Sequence, residues 1–158
     1  MANIIVTKNE RETKRVAAMF ARSIIKELIF GKKAVVVVLS GDLGAGKTTF
    51  AQGFAKGLSV KEPVKSPTFV ILKRYHLQNV RCQMSDVRCF RYFYHIDCYR
   101  FKNARDARAL GLAEILKSPA NLVLIEWPER IKNILSKKQT ITVKFSHINE
   151  TSRKISFN

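Results

Sequence analysis

The sequence predicts an α/β domain with a mostly parallel central sheet and flanking helices. Three observations carry that prediction. Ala34-Val35-Val36-Val37-Val38-Leu39 is an unbroken apolar run with four β-branched residues, the pattern of a strand buried on both faces. Gly41-Asp42-Leu43-Gly44-Ala45-Gly46-Lys47-Thr48 follows it and fits the phosphate-loop pattern G-x-x-x-x-G-K-[ST]. Thr48 to Leu58 then reads as a helix, so strand, glycine turn and helix come in the order such a loop needs. A single P-loop NTPase-like domain over 1–158 is expected at this length.

The other elements can be justified in chain order. Ile4 to Thr7 predicts a short first strand. Thr7-Lys8-Asn9-Glu10 has the T-x-x-E form of a capping box and predicts a helix start. Val16, Phe20, Ile24 and Leu28 recur every four residues, with Ala17, Ala21 and Ile25 beside them, and define one apolar helical face that Gly31 ends. Pro63 and Pro67 bracket a connector, after which Phe69-Val70-Ile71-Leu72 predicts a strand. Gln78 to Arg91 is polar and basic and is left open between a hairpin tip and a loop. Phe90 to Ile96 is aromatic and β-prone, and Asp106 to Leu116 is helical with Gly111 interrupting it. Leu122 to Ile125 predicts a second buried strand ending in Glu126. Thr140 to Phe145 alternates as a half-exposed strand, with Lys154 to Phe157 as its partner.

The loop implies chemistry. Its glycines let several backbone N–H groups converge on an anion, and the following helix adds its positive end. Lys47 is placed on the β- and γ-phosphates, Thr48 on Mg²⁺, and Thr49 as a further phosphate contact. Gly44, Ala45 and Gly46 belong to the same nucleotide-binding set. Asp42 is counted with them by position, but it precedes the nest and would repel phosphate, so it is a poor metal ligand.

A phosphate loop also needs a second acid at the end of a buried strand. Asp97 and Glu126 both end such strands, where α/β proteins bind ligands. Thr68, in Ser66-Pro67-Thr68-Phe69, sits where P-loop switches place a γ-phosphate-sensing hydroxyl. No [NT]-K-x-D guanine motif follows the loop, so the nucleotide favoured is ATP.

Composition sets further bounds. No aliphatic run approaches the roughly 18 residues that span a bilayer, which points to a cytoplasmic chain with no membrane partner. Cys82, Cys89 and Cys98 are expected as reduced thiols, because their spacing matches no zinc hook. A net charge of +17 attracts polyanions; a nucleic-acid partner and simple solubility both account for it. Lys73 to Arg108 is the densest stretch, with nine basic and three acidic residues.

Four blocks together resemble the TsaE (YjeE) family of small bacterial P-loop ATPases. They are Leu39 to Phe50, then Val64-Lys65-Ser66-Pro67-Thr68-Phe69, then His95-Ile96-Asp97-Cys98-Tyr99-Arg100, then Leu124-Ile125-Glu126-Trp127-Pro128. Glu12-Thr13 also resembles the family's opening. The resemblance implies ATP hydrolysis with Mg²⁺ in the assembly that installs N6-threonylcarbamoyl on tRNA adenosine beside the anticodon. The partners it implies are TsaD and TsaB, with tRNA reached indirectly through them. It makes Lys47, Asp97 and Glu126 catalytic, puts Thr48, Glu126 and Asp97 at the metal, Thr68 in the switch-like loop and Trp127 at the site edge.

Two departures stand out. Cys98 replaces the usual Leu of the third block, and Gln78 to Tyr92 is longer and more basic than the usual linker. The alternative of a P-loop small-molecule kinase would use Arg100, Arg105 and Arg108 as a lid, but leaves the third and fourth blocks unexplained.

Overall fold

The computed structural model describes residues 3–27, 32–64, 71–77, 90–135 and 140–158. Its elements are β1 (Asn3–Thr7), α1 (Glu10–Glu27), β2 (Val35–Ser40), α2 (Lys47–Gly57), β3 (Leu72–His76), β4 (Tyr92–Asp97), α3 (Ala104–Ala109), α4 (Leu112–Lys117), β5 (Asn121–Glu126), a 3-10 turn at Pro128–Ile131, β6 (Thr140–His147) and β7 (Arg153–Phe157). The strands form one seven-stranded sheet in the order β1-β7-β6-β2-β5-β4-β3. Its four inner strands, β6, β2, β5 and β4, are parallel; β3 and β7 run against their neighbours at the margins. The strand before the phosphate loop is therefore the central one. Among the described residues no helix is long and apolar enough to cross a membrane.

Side-chain alternation divides the core into two faces. Val37, Leu39, Phe93, Leu122 and Leu124 point to one face, where α1 and α2 pack together over an aromatic cluster including Phe50 and Phe54. Val36, Val38, Ile96, Val123 and Ile125 point to the other, under Ala107, Leu112 and Ile131. The two long helices approach closely because Gly53 and Gly57 face α1. A Cβ on Gly53 would stand 2.4 Å from the Lys14 carbonyl oxygen.

Several boundaries differ from the sequence expectations. The cap of α1 is Asn9, not Thr7: the Glu12 N–H donates to Asn9 Oδ1 at 2.9 Å, and Glu12 Oε2 accepts from the Lys8 N–H at 2.7 Å. Thr7 ends β1, buried, with its hydroxyl 2.9 Å from that of Thr13. The third strand lies further along than expected, at Leu72–His76, and Ile71 is a bend. It is an edge strand, so its pairing with β4 outweighs its weak apolar pattern. Gly111, at φ +69°, splits the predicted 106–116 helix into α3 and α4. Leu28, Gly31, Phe69, Val70 and most of the 78–91 stretch lie outside the described residues.

Candidate functional site

The site forms where the central parallel strands end. Glu126 closes β5, in register with Leu39 of β2 on one side and Asp97 of β4 on the other. The register sets both acids side by side on the face that carries α2. The phosphate loop leaves β2 one residue later. Gly41, at φ +141°, turns against β6, where a Cβ would come 2.5 Å from the Phe145 carbonyl oxygen. Gly44 and Gly46 also hold positive φ, and α2 begins directly at Lys47.

A cleft of about 240 Å³ opens over the loop. It is lined by Gly44, Gly46, Lys47, Thr48, Thr49, Asp97 and Glu126 from the predicted set and by Trp127, expected at the site edge, with Leu43 and Tyr99 added. Ala45 is fully buried beneath the loop. Asp42 faces solvent outside the cleft lining, and its backbone oxygen accepts from Lys47 Nζ at 2.7 Å. Thr68, Cys82 and Cys89 lie outside the described residues.

Lys47 is held in the loop's own curve. Its ammonium donates to Gly41 O at 2.6 Å and Asp42 O at 2.7 Å, and stands 4.0 Å from the Trp127 ring centre. Burial pushes its pKa down, and the charges of Glu126, Glu129, Asp42 and Asp97 oppose that shift. A bound phosphate would add a further opposing charge. Trp127 adopts a left-handed backbone at φ 59°, an uncommon conformation for a bulky residue. Its ring lies 5.1 Å from that of Tyr99, and the pair walls one side of the cleft.

Glu126 is 2% exposed and bonded at both oxygens. Oε2 accepts from the Thr48 hydroxyl at 3.1 Å, and Oε1 lies 2.9 Å from His95 Nε2. Asp97 Oδ1 accepts from the Tyr99 N–H at 2.9 Å. Burial pushes the Asp97 pKa up; the Tyr99 bond opposes this and the Glu126 charge adds to it. Cys98, on the opposite face of β4, is buried with its thiol pushed up to about 12 by desolvation, so it is an inert packing residue.

The donor set suits a hard cation. A threonine hydroxyl touching a carboxylate, with a second carboxylate in the same cleft, offers oxygen ligands and leaves positions for phosphate and water, as Mg²⁺ requires. Among the described residues no cluster of three or more His, Cys, Asp and Glu could hold a metal unaided.

His95 and Tyr99 belong to the third sequence block but carry no local signal of a part in the site. Strand parity was available for the first: His95 and Asp97 are two apart on β4 and share a face.

Fold, loop and strand-end acids define a P-loop α/β protein. The model of the family described as "Threonylcarbamoyl adenosine biosynthesis protein TsaE" matches residues 7–155, and the chain belongs to this TsaE family. It is 34% identical over 151 residues to the tRNA threonylcarbamoyladenosine biosynthesis protein TsaE of Bacillus subtilis, covering 96% of this chain and 82% of that one. The protein of the same name from Borreliella burgdorferi is 33% identical over 126 residues, covering 80% and 81%. Among solved structures, the crystal structure of Bacillus subtilis YdiB superposes with a TM-score of 0.68 at 32% identity, covering 99% of this chain and 84% of that chain.

Proposed function

We propose that this chain is a single-domain, Mg²⁺-dependent ATPase. It acts in the cytoplasm with TsaB and TsaD in the biosynthesis of N6-threonylcarbamoyladenosine on tRNA. The observation that carries the ATPase reading is the Thr48–Glu126 hydrogen bond, which joins the loop hydroxyl to a strand-end acid. The role in tRNA modification rests on membership of the TsaE family.

In this reading the loop's N–H groups and Lys47 hold the β- and γ-phosphates of ATP. Thr48 and Glu126 hold Mg²⁺, which would neutralise charge on the phosphates. His95 fixes the Glu126 carboxylate from behind. Asp97 is placed to orient the attacking water, and its raised pKa makes it a better proton acceptor than an exposed carboxylate. The Tyr99–Trp127 wall limits water on one side. The family resemblance of Ser66-Pro67-Thr68-Phe69 gives Thr68 the part of a γ-phosphate sensor. The kinase alternative is disfavoured because it leaves the His95 to Arg100 and Leu124 to Pro128 blocks without a part, whereas family membership accounts for them.

Purified chain should bind MgATP, hydrolyse it slowly alone and change rate with the TsaB–TsaD pair. Lys47→Ala and Glu126→Gln are each expected to cut turnover by on the order of 10²-fold or more. Full tRNA modification in a reconstitution with Lys47→Ala would overturn the role in the assembly. Transfer of γ-phosphate to a metabolite rather than to water would favour a kinase.

A further inference from the structure

At the β3 margin the sheet face that carries α3 and α4 runs out from under its helices. The register puts Arg74 opposite Tyr94 and His76 opposite Tyr92, and directly opposed residues share a face. Two residues further along, Leu72 and Ile96 lie on that same face and join the aliphatic layer under the helices. Tyr94 still touches this layer and is half-buried. Tyr92 is also half-buried, while Arg74 and His76 are exposed.

Strand parity separates this set from its neighbours. Tyr75 and Phe93 point to the opposite face, where their rings stack 5.6 Å apart in the core and anchor the edge strand. The outward set forms a second, open array. The Arg74 guanidinium carbon stands 5.1 Å from the Tyr92 ring centre, the His76 ring 5.6 Å from it and the Tyr94 ring 6.4 Å. No ion pair among the described residues engages Arg74, and Arg91, next to Tyr92, is exposed as well. Residues 71–77 and 90–96 contain no acid.

Charge alone is enough to guard an edge strand against pairing with another chain. It does not call for tyrosines beside the charge. A cation set against aromatic rings offers phosphate donors and flat π surfaces together. Unpaired RNA carries the complement of both, in its phosphates and its stacking bases, whereas an acidic protein segment complements only the charge. The net charge of +17 adds long-range attraction for the same ligand.

We propose that Arg74, His76, Tyr92 and Tyr94 form a contact surface for unpaired RNA, and that the chain touches tRNA directly through this sheet edge. The choice of tRNA as the RNA rests on the proposed role in tRNA modification. The surface itself stands apart from ATP hydrolysis, because it lies at the end of β4 opposite Asp97.

The test is fluorescence anisotropy of a labelled, unmodified anticodon stem-loop RNA titrated with the full chain, beside a fully paired RNA of the same length. Wild type is expected to bind the stem-loop about tenfold more tightly than the duplex. Tyr92→Leu keeps every charge and is expected to raise the stem-loop Kd about tenfold; Tyr92→Phe keeps the ring and should stay within about twofold. Arg74→Gln is expected to raise the Kd and to lower the slope of log Kd against log salt by about 0.7, the share of one phosphate contact. Lys154→Gln removes the same charge from an exposed position on β7, near the other margin of the sheet, and should leave the Kd within about twofold. The ADP affinity of all four variants should match wild type, since none of these residues lines the cleft.

Equal affinity for stem-loop and duplex, or a Tyr92→Leu Kd within about twofold of wild type, overturns the proposal. A loss in Lys154→Gln as large as in Arg74→Gln marks diffuse charge and overturns it too. So does poly-glutamate that displaces the stem-loop as readily as unlabelled RNA of equal charge, which marks a surface for acidic protein. If Tyr92→Leu does not fold, Arg74→Gln is read instead, and an unchanged salt slope there overturns the proposal. Wild type that supports tRNA modification with TsaB and TsaD yet binds no stem-loop removes this surface alone. Wild type that binds the stem-loop as described but leaves tRNA unmodified in the reconstitution supports the surface and counts against the role in the assembly.

Discussion

The two faces of the sheet are built differently. One carries an 18-residue and an 11-residue helix in glycine-mediated contact over clustered phenylalanines: Phe20, Phe50, Phe54, Phe93, Phe145 and Phe157. The other carries α3 and α4, six residues each, and a four-residue turn over a mainly aliphatic layer. The acids Asp97 and Glu126 lie on the first face, while Trp127 packs against the second. The phosphate grip is thus mounted on long, interlocked elements, and one wall of its cleft hangs from short ones. Short helices gain little from their own hydrogen bonds and depend on packing, so local opening should begin on the second face.

Equivalent changes on the two faces test that contrast. The largest effect is expected for Gly53→Val, because backbone atoms of Lys14 lie within 2.8 Å of the new Cβ and cannot step aside. A loss of about 3 kcal/mol, or roughly 6–12 °C in melting temperature, is expected by thermal denaturation. Gly111→Ala on the other face meets nothing within 4 Å of the added Cβ and bears only the left-handed backbone at φ +69°. It should cost about 1–2 kcal/mol. Equal losses at the two glycines would show that the faces are alike.

The smallest effect has the opposite sign. Burial raises the Asp97 pKa above its unfolded value, so ionised Asp97 destabilises the fold at neutral pH. Its favourable contribution is present below the unfolded pKa and is lost as pH rises through the folded pKa. Asp97→Asn should therefore raise the ligand-free melting temperature at neutral pH while hydrolysis falls. The gain should shrink as pH drops through the folded pKa of Asp97. Melting curves across that range check it, and a gain that grows on acidification would contradict it.

Elements with strong local signals were readable in the sequence. Ala34 to Leu39 and Leu122 to Ile125 gave β2 and β5 because strands buried on both faces have no polar residues to blur them. Gly111 was legible as an interruption because a left-handed position favours glycine. The α1 cap was misplaced by two residues because Thr7 and Asn9 are both good caps, and only tertiary pairing assigns Thr7 to the sheet. The loop, Asp97 and Glu126 were marked by motif and strand end, and the structure brings them into one cleft. The grouping of Arg74 and His76 with Tyr92 and Tyr94 was not legible, since it needs the β3–β4 register and leaves no local pattern. The same holds for the His95–Glu126 bond, which needs the β4–β5 register to be known.

The antiparallel edge formed by β3 and β4 has a further consequence. His76 pairs with Tyr92, and the Leu77 N–H donates to Arg91 O at 2.9 Å, so the described part of this edge closes at the end of β4 opposite Asp97. A strand of this length separates that end from the acids by roughly 16 Å, about twice the distance over which charge is screened at physiological salt. A charge placed on Leu77 or Arg91 is therefore electrically remote from Asp97 and Glu126, and changes there should leave the pKa values of the cleft acids where they are.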